Sequence, residues 1–107
     1  MSYYFVKVPK LPQSISHQNR MVELVEYAVE EHDKLDAGQP VAIVQNRWAR
    51  MVLKSVGAGY VSKVFFQRGT LINEGDPLAI IVCDPEEGPP AGETCVLEIL
   101  ERLREKP

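Results

Sequence analysis

His17, His32, Cys83 and Cys95 are the histidines and cysteines of this 107-residue chain, a possible four-ligand set for a metal. A tetrahedral metal site draws its ligands in short local pairs, and no two of these four are spaced that way, so no metal ligand set is read here. Cys83 and Cys95 stand on either side of a Pro- and Gly-rich stretch, which is neither a C-x-x-C redox spacing nor a disulfide framework. They read as two reduced thiols. Glu30 with Glu31, and Glu86 with Glu87, are sequence neighbours. Neighbours in a strand point to opposite faces, so neither pair works jointly as acid and base. No Ser/His/Asp or Cys/His pairing, phosphate-cradling glycine loop or H-E-x-x-H pattern is present. The expectation is no catalytic residue, and at most an accessory subunit of an enzyme complex.

The stretch "VAIVQNRWARMVL", residues 41 to 53, reads as strand, turn, strand, with the single tryptophan of the chain, Trp48, where the backbone reverses. Trp and Arg are the residue types most enriched in interface hot spots, so Asn46, Arg47, Trp48 and Arg50 form a candidate partner-binding tip. Arg47 and Arg50 favour a carboxylate or an acidic surface as its target. The same residues permit another arrangement, in which Trp48 folds down over apolar side chains near Met51 and the arginines are merely solvated.

The whole chain bounds what such a tip can belong to. Its length is that of one domain able to bury about 65% of its unfolded surface. Hydrophobic residues at 45% and charged residues at 25% are average for a globular protein. The formal charge is −3 and Lys and Arg are scattered, so the basic footprint of a nucleic-acid binder is missing. No apolar run approaches the roughly 18 residues of a membrane span, and "MSYYFVKVPK" lacks the features of a signal peptide. A cytoplasmic protein that binds neither nucleic acid nor membrane is expected.

Self-similarity organises the rest. Shifted by 37 residues, "LVEYAVEEHDKLDAGQPVAIV" (24 to 44) lies on "VSKVFFQRGTLINEGDPLAII" (61 to 81) without a gap. Gly38 falls on Gly75, Pro40 on Pro77, Ala42 on Ala79 and Ile43 on Ile80. Two copies are too few for a solenoid but make two halves of one barrel or sandwich. Each half reads strand, turn, strand, with "DAGQP" and "NEGDP" as the turns. In "RMVELVEYAVEEHDK", Met21, Leu24, Val25, Ala28 and Val29 have helical spacing. Its repeat partner "YVSKVFFQRGT" is β-branched and aromatic without a helical stripe, so a strand is expected in both.

Residues 84 to 93, "DPEEGPPAGE", read as a linker after a β domain spanning 1 to 83. In "TCVLEILERLREKP", Val96, Ile99, Leu100 and Leu103 recur at i, i+3, i+4, i+7, which predicts an amphipathic helix over 94 to 106. About twelve residues are too few for a stable isolated helix. Its apolar face, Val96, Ile99, Leu100 and Leu103, must dock on its own barrel, on a second copy to give a homo-oligomer, or in another protein's groove.

These features resemble the lipoyl and biotinyl carrier domains, most closely the lipoyl domains of 2-oxo acid dehydrogenase acyltransferases. "PKLPQSIS" (9 to 16) is similar to the family's P-K-L-G-E-S-V-T-E-G, and "MVELVEYAVEEHDKLDAGQPVAIV" follows its G-T-I-V-E-W-x-V-K-E-G-D-x-V-x-x-G-D-x-L-A-x-V. "SVGAGYVSKVFFQRGTLINEGDPLAIIV" follows S-P-x-A-G-x-V and V-x-x-G-D, so the resemblance spans residues 6 to 82. It implies an all-β fold, a flattened barrel or barrel-sandwich hybrid of two quasi-symmetric halves, to which the C-terminal helix is added.

The resemblance also implies where chemistry would sit. In the family the hairpin tip between the halves, E-T-D-K-A in lipoyl and A-M-K-M in biotin domains, carries the lysine to which a ligase attaches the cofactor. Aligned without gaps, the tip here is Gln45, Asn46, Arg47, Trp48, Ala49, and the lysine position is Trp48. An indole nitrogen cannot replace the amine, nor can the protonated guanidinium of Arg47. The expectation is a lipoyl-like domain that carries no cofactor and binds a protein partner, an acyltransferase, dehydrogenase or carboxylase subunit. The alternative is an acyl or carboxyl carrier or an accessory subunit in a 2-oxo acid dehydrogenase-like or biotin-dependent system, with lipoate or biotin on another lysine such as Lys34 or Lys54.

Overall fold

In the computed structural model, which describes residues 2–16 and 21–103, nine strands form two sheets. In chain order they are β1 (Tyr3–Lys7), β2 (Met21–Tyr27), β3 (Lys34–Leu35), β4 (Pro40–Gln45), β5 (Ala49–Ser55), β6 (Gly59–Val64), β7 (Leu71–Asn73), β8 (Pro77–Val82) and β9 (Cys95–Arg102). The first sheet runs β1-β8-β6-β3 and the second β7-β2-β4-β5-β9, and every pairing is antiparallel. The 37-residue repeat is visible in the strands: β4 and β8 start on Pro40 and Pro77 and both run six residues. β4 lies between β2 and β5 as β8 lies between β6 and β1.

The two sheets pack face to face as an open sandwich, not a closed barrel, and this corrects the barrel expectation. Each sheet keeps two edges, β1 and β3 in one and β7 and β9 in the other. Period-2 alternation sends Tyr4 and Val6 of β1, Met51 and Leu53 of β5 and Ala79 and Ile81 of β8 into the core between them. The Tyr27 hydroxyl donates to the Leu78 carbonyl across the sandwich at 2.8 Å and accepts from the Phe66 N–H at 3.3 Å. One polar side chain thus ties β2 to β8 and to the chain that follows β6.

β2 is a strand despite its helical spacing. Its register shifts between Leu24 and Glu26, and the bulge changes the inward phase partway along. Apolar positions on either side of a bulge fall out of period 2, which produced the apparent helical stripe in the sequence. Lys34 opens the two-residue strand β3.

The predicted C-terminal helix is absent, and a self-association surface on it falls with it. Residues 95–102 are β9, and among the described residues the only helical segment is the turn Gln13–Ser16. The side chains alternate: Cys95 is buried, Leu97 and Ile99 are half-buried against the core, and Val96, Glu98 and Leu100 are exposed. The predicted apolar stripe is therefore split, with Ile99 facing inward, Val96 and Leu100 outward, and Leu103 exposed beyond the strand end. The physical reason is the edge of β5. A row of backbone groups needing partners rewards a strand along its full length, whereas a lone twelve-residue helix has only marginal stability.

Candidate functional site

The β4–β5 hairpin reverses at Asn46, Arg47 and Trp48, where the sequence placed the tip. Asn46 shapes the turn. Its Oδ1 accepts from the backbone N–H of Trp48 at 2.8 Å and of Ala49 at 3.0 Å, while its own N–H donates to the Ala49 carbonyl at 3.0 Å. Such side-chain-to-backbone bonds two and three residues on are why Asn suits this position.

Of the two arrangements left open by the sequence, Trp48 takes the second. It is half-buried and packs against the core, while Arg47 is exposed and its guanidinium carbon lies 5.0 Å from the centre of the indole ring. Arg47 thereby covers the outer face of the ring by a cation–π contact. Arg50 folds back on the hairpin, its Nε and Nη2 donating to Gln45 Oε1 at 3.2 and 3.0 Å. The tip is further secured by β9, whose end reaches it: Arg102 pairs with Ala49, and the Leu103 N–H donates to the Trp48 carbonyl at 2.8 Å.

The structure brings residues to the tip that sequence reasoning missed. A groove of about 390 Å³ is lined by Met21, Glu23, Gln45, Asn46, Arg47, Trp48 and Leu71. Met21 and Leu71 come from β2 and β7, which pair side by side, and Leu71 is 60% exposed. No sequence signal marks Leu71, because its closeness to the tip depends on the non-local pairing of β7 with β2. Of the predicted partner-binding set, Asn46, Arg47, Trp48 and Arg50 share this end of the molecule. Leu103 reaches it through the Trp48 bond, and Val96, Ile99 and Leu100 lie along β9.

The other candidate chemistry is dispersed. Lys54 sits mid-sheet, its Nζ 2.5 Å from Glu98 Oε2, and Lys34 Nζ is 4.0 Å from Asp36. Cys83 and Cys95 are buried and unbridged. Burial, with a smaller contribution from the Glu93 charge, pushes the Cys95 thiol up to about 12. No group of three or more His, Cys, Asp or Glu side chains placed to hold a metal occurs among the described residues. His17 lies outside the described residues. Among those residues no helix is long and apolar enough to cross a membrane.

Comparison with known proteins agrees with the architecture. No curated protein matches the chain. The sequence model of the family described as "Biotin-requiring enzyme", the biotinyl and lipoyl domains, matches residues 6–81. That span contains the repeat, both sheets' symmetric strands except the first residues of β1 and the last of β8, and the whole β4–β5 hairpin, but not β9. The chain therefore belongs to the biotinyl/lipoyl domain family, whose members are carrier-type or scaffold modules of biotin-requiring and lipoyl enzyme systems.

Proposed function

We propose that this chain is an unmodified carrier-type domain that serves as a protein-binding or scaffold module through the end bearing the β4–β5 hairpin. The observation that carries the reading is the state of the tip. The residue that the resemblance aligns with the attachment lysine is Trp48, half-buried against the core, its N–H donating to Asn46 Oδ1 and its carbonyl accepting from the Leu103 N–H. A group that must visit distant active sites needs a free, nucleophilic amine on a long arm, and this tip presents a packed indole with no such amine. What it does present is a shallow groove with an apolar wall, Leu71 and Met21, beside the exposed cation Arg47. Apolar anchors rimmed by an arginine suit a protein surface carrying carboxylates. The partner belongs to the class that such domains serve, a subunit of an acyltransferase, dehydrogenase or carboxylase assembly.

The test is the intact mass of the chain co-expressed with a lipoate ligase and a biotin ligase, each with its cofactor supplied. A mass equal to the bare chain supports the reading. An added lipoyl or biotinyl mass on Lys34 or Lys54 sinks it and makes the chain a carrier. Partner capture from the native host then follows, with Leu71→Asp and Arg47→Glu as variants. Each should lower capture about tenfold while the unfolding transition stays in place.

A further inference from the structure

The two sheets are related by the repeat, and among the described residues one of them has a strand position that nothing fills. Pro40 pairs with Lys54 on β5, and its counterpart Pro77 pairs with Lys7 on β1. Val44 and Met51 correspond in the same way to Ile81 and Tyr4, so β1 is the counterpart of β5 residue for residue. The free side of β5 is covered by β9, and the free side of β1 is the edge of its sheet.

That edge has groups to offer. The Cys83 N–H donates to the Ser2 carbonyl at 2.9 Å, which makes Ser2 and Cys83 a hydrogen-bonded pair. Antiparallel pairs alternate, so Tyr3 and Phe5 direct their N–H and C=O groups away from β8, toward the open side. At Lys7 the same side is already used, since its N–H donates to Thr94 Oγ1 at 3.0 Å. A groove of about 590 Å³ lies against this edge, with Phe5, Lys7, Lys10 and Thr94 in its lining, and Glu74 and Glu93 balance its lysines.

Side chains indicate what would fit. Under β9, Val52 is only 4% exposed, whereas its counterpart on β1, Phe5, is 36% exposed and Tyr3 beside it 62%. The rings of Tyr3, Phe5 and Phe65 form a contiguous strip, with centroids 6.1 and 6.2 Å apart, and Lys63 Nζ lies 5.9 Å from the Phe65 ring. The strands of this sheet carry Lys7, Lys34 and Lys63 and no carboxylate, in a chain whose net charge is −3. On the other sheet, β9 meets the counterpart of Lys7 with an acid, the Lys54 to Glu98 pair. A second copy offering its own β1 would bring another Lys7 and no acid to the edge, whereas an acidic occupant would pair Lys7 as Glu98 pairs Lys54, so the charge at Lys7 favours an acidic occupant.

We propose that the open edge of β1 binds an extended segment of a partner protein by antiparallel strand addition, the segment presenting on its outward face a carboxylate between two apolar residues, as β9 presents Glu98 between Val96 and Leu100. Backbone bonds to Tyr3 and Phe5 supply affinity. Apolar residues cover the Tyr3–Phe5–Phe65 strip, and a carboxylate opposite Phe5 reaches Lys7 diagonally, as Glu98 reaches Lys54.

The probe is a fluorescein-labelled peptide with the sequence of residues 94–103 and serine in place of Cys95, titrated into the full chain by anisotropy and amide NMR. The expected result is saturable binding with shifts centred on the Tyr3 and Phe5 amides. Tyr3→Pro, a substitution an edge strand tolerates, should weaken it roughly tenfold. Lys7→Glu should weaken it about fivefold and be rescued by a peptide with both glutamates changed to lysine. The proposal is overturned by no binding at about 1 mM peptide, by shifts confined to β5 as the peptide displaces β9, or by equal affinity of native chain for the lysine peptide. A dimer in which β9 of one copy pairs with β1 of another would assign the edge to a second copy and overturn it as well.

Discussion

The Leu103 N–H donates to the Trp48 carbonyl at 2.8 Å, so the end of β9 is bonded to the hairpin tip on which the family's chemistry centres. β9 lies outside the family-matched residues 6–81, yet it covers the whole edge of β5. A hairpin whose outer strand is paired on both sides is held more firmly than one at a sheet edge.

Detaching β9 should therefore loosen the tip. Ile99→Asp puts a carboxylate where Ile99 now packs half-buried against the core, at a cost of about 2 kcal/mol. In urea unfolding the midpoint should fall accordingly. Hydrogen exchange at Arg50, Val52 and Lys54, whose amides face β9 by the alternation that begins with Val56 N–H on the Thr94 carbonyl, should accelerate. Unchanged exchange at those three would show that β9 does not restrain the hairpin.

Trp48 contributes to stability as well as to the tip surface. Removing a fully buried Trp costs about 3–5 kcal/mol, and for this half-buried ring Trp48→Ala should cost about 2. Trp48→Phe should cost about 1 kcal/mol, because a ring remains over the core and under Arg47. With a single tryptophan in the chain, emission reads this site directly: the native maximum should lie well to the blue of the urea-unfolded one. A native spectrum matching the unfolded one would contradict the packing.

Gly59 is a position where only glycine fits. Its φ is +149°, and a Cβ there would stand 2.7 Å from Ile81 Cγ2 and closer still to the Val82 carbonyl oxygen. Backbone cannot yield as a flexible side chain does. Gly59→Ala should destabilise by about 3 kcal/mol or more, read as a lowered thermal midpoint. Gly38→Ala, where φ is +84° and nothing lies within 4 Å, should cost only the conformational penalty of about 1 kcal/mol.

Stability should fall in alkali. The Cys95 thiol, with an ordinary value of 9.0, is raised to about 12 by burial and stays protonated in the fold while the unfolded chain ionises. The unfolded state then binds fewer protons, so stability declines as pH rises between about 9 and 12, by up to about 1.4 kcal/mol per unit. Burial raises Tyr4 and Tyr27 above 10.0, which adds the same sign of effect above that pH. Cys95→Ala should flatten the slope of urea midpoint against pH in this window, and a thiol reagent at pH 8 should label native Cys95 far more slowly than the unfolded chain. Equal slopes for the two proteins would place the loss elsewhere.

Much of this molecule was written in local pattern. The 37-residue repeat, the paired prolines Pro40 and Pro77 and the alternation around "VAIVQNRWARMVL" specify strands, turns and the location of the tip, because side-chain period and turn chemistry are properties of neighbouring residues. The sequence by itself also determined that the tip residues, Gln45 to Ala49, include no lysine.

Tertiary structure decided what depends on distant partners. Val96, Ile99, Leu100 and Leu103 satisfy a helical period, but the unpaired edge of β5 makes their segment a strand and sends Ile99 inward and Leu100 outward. The bulge in β2 disguised a strand as a helix, because a register shift is fixed by the facing strand β4 and not by β2 alone. Leu71 joined the tip only through β7 pairing with β2. Whether Trp48 projected or packed was likewise open until the core beneath it and the β9 end beside it were in place. Backbone hydrogen bonds between strands far apart in sequence outweigh the modest preferences of a short segment.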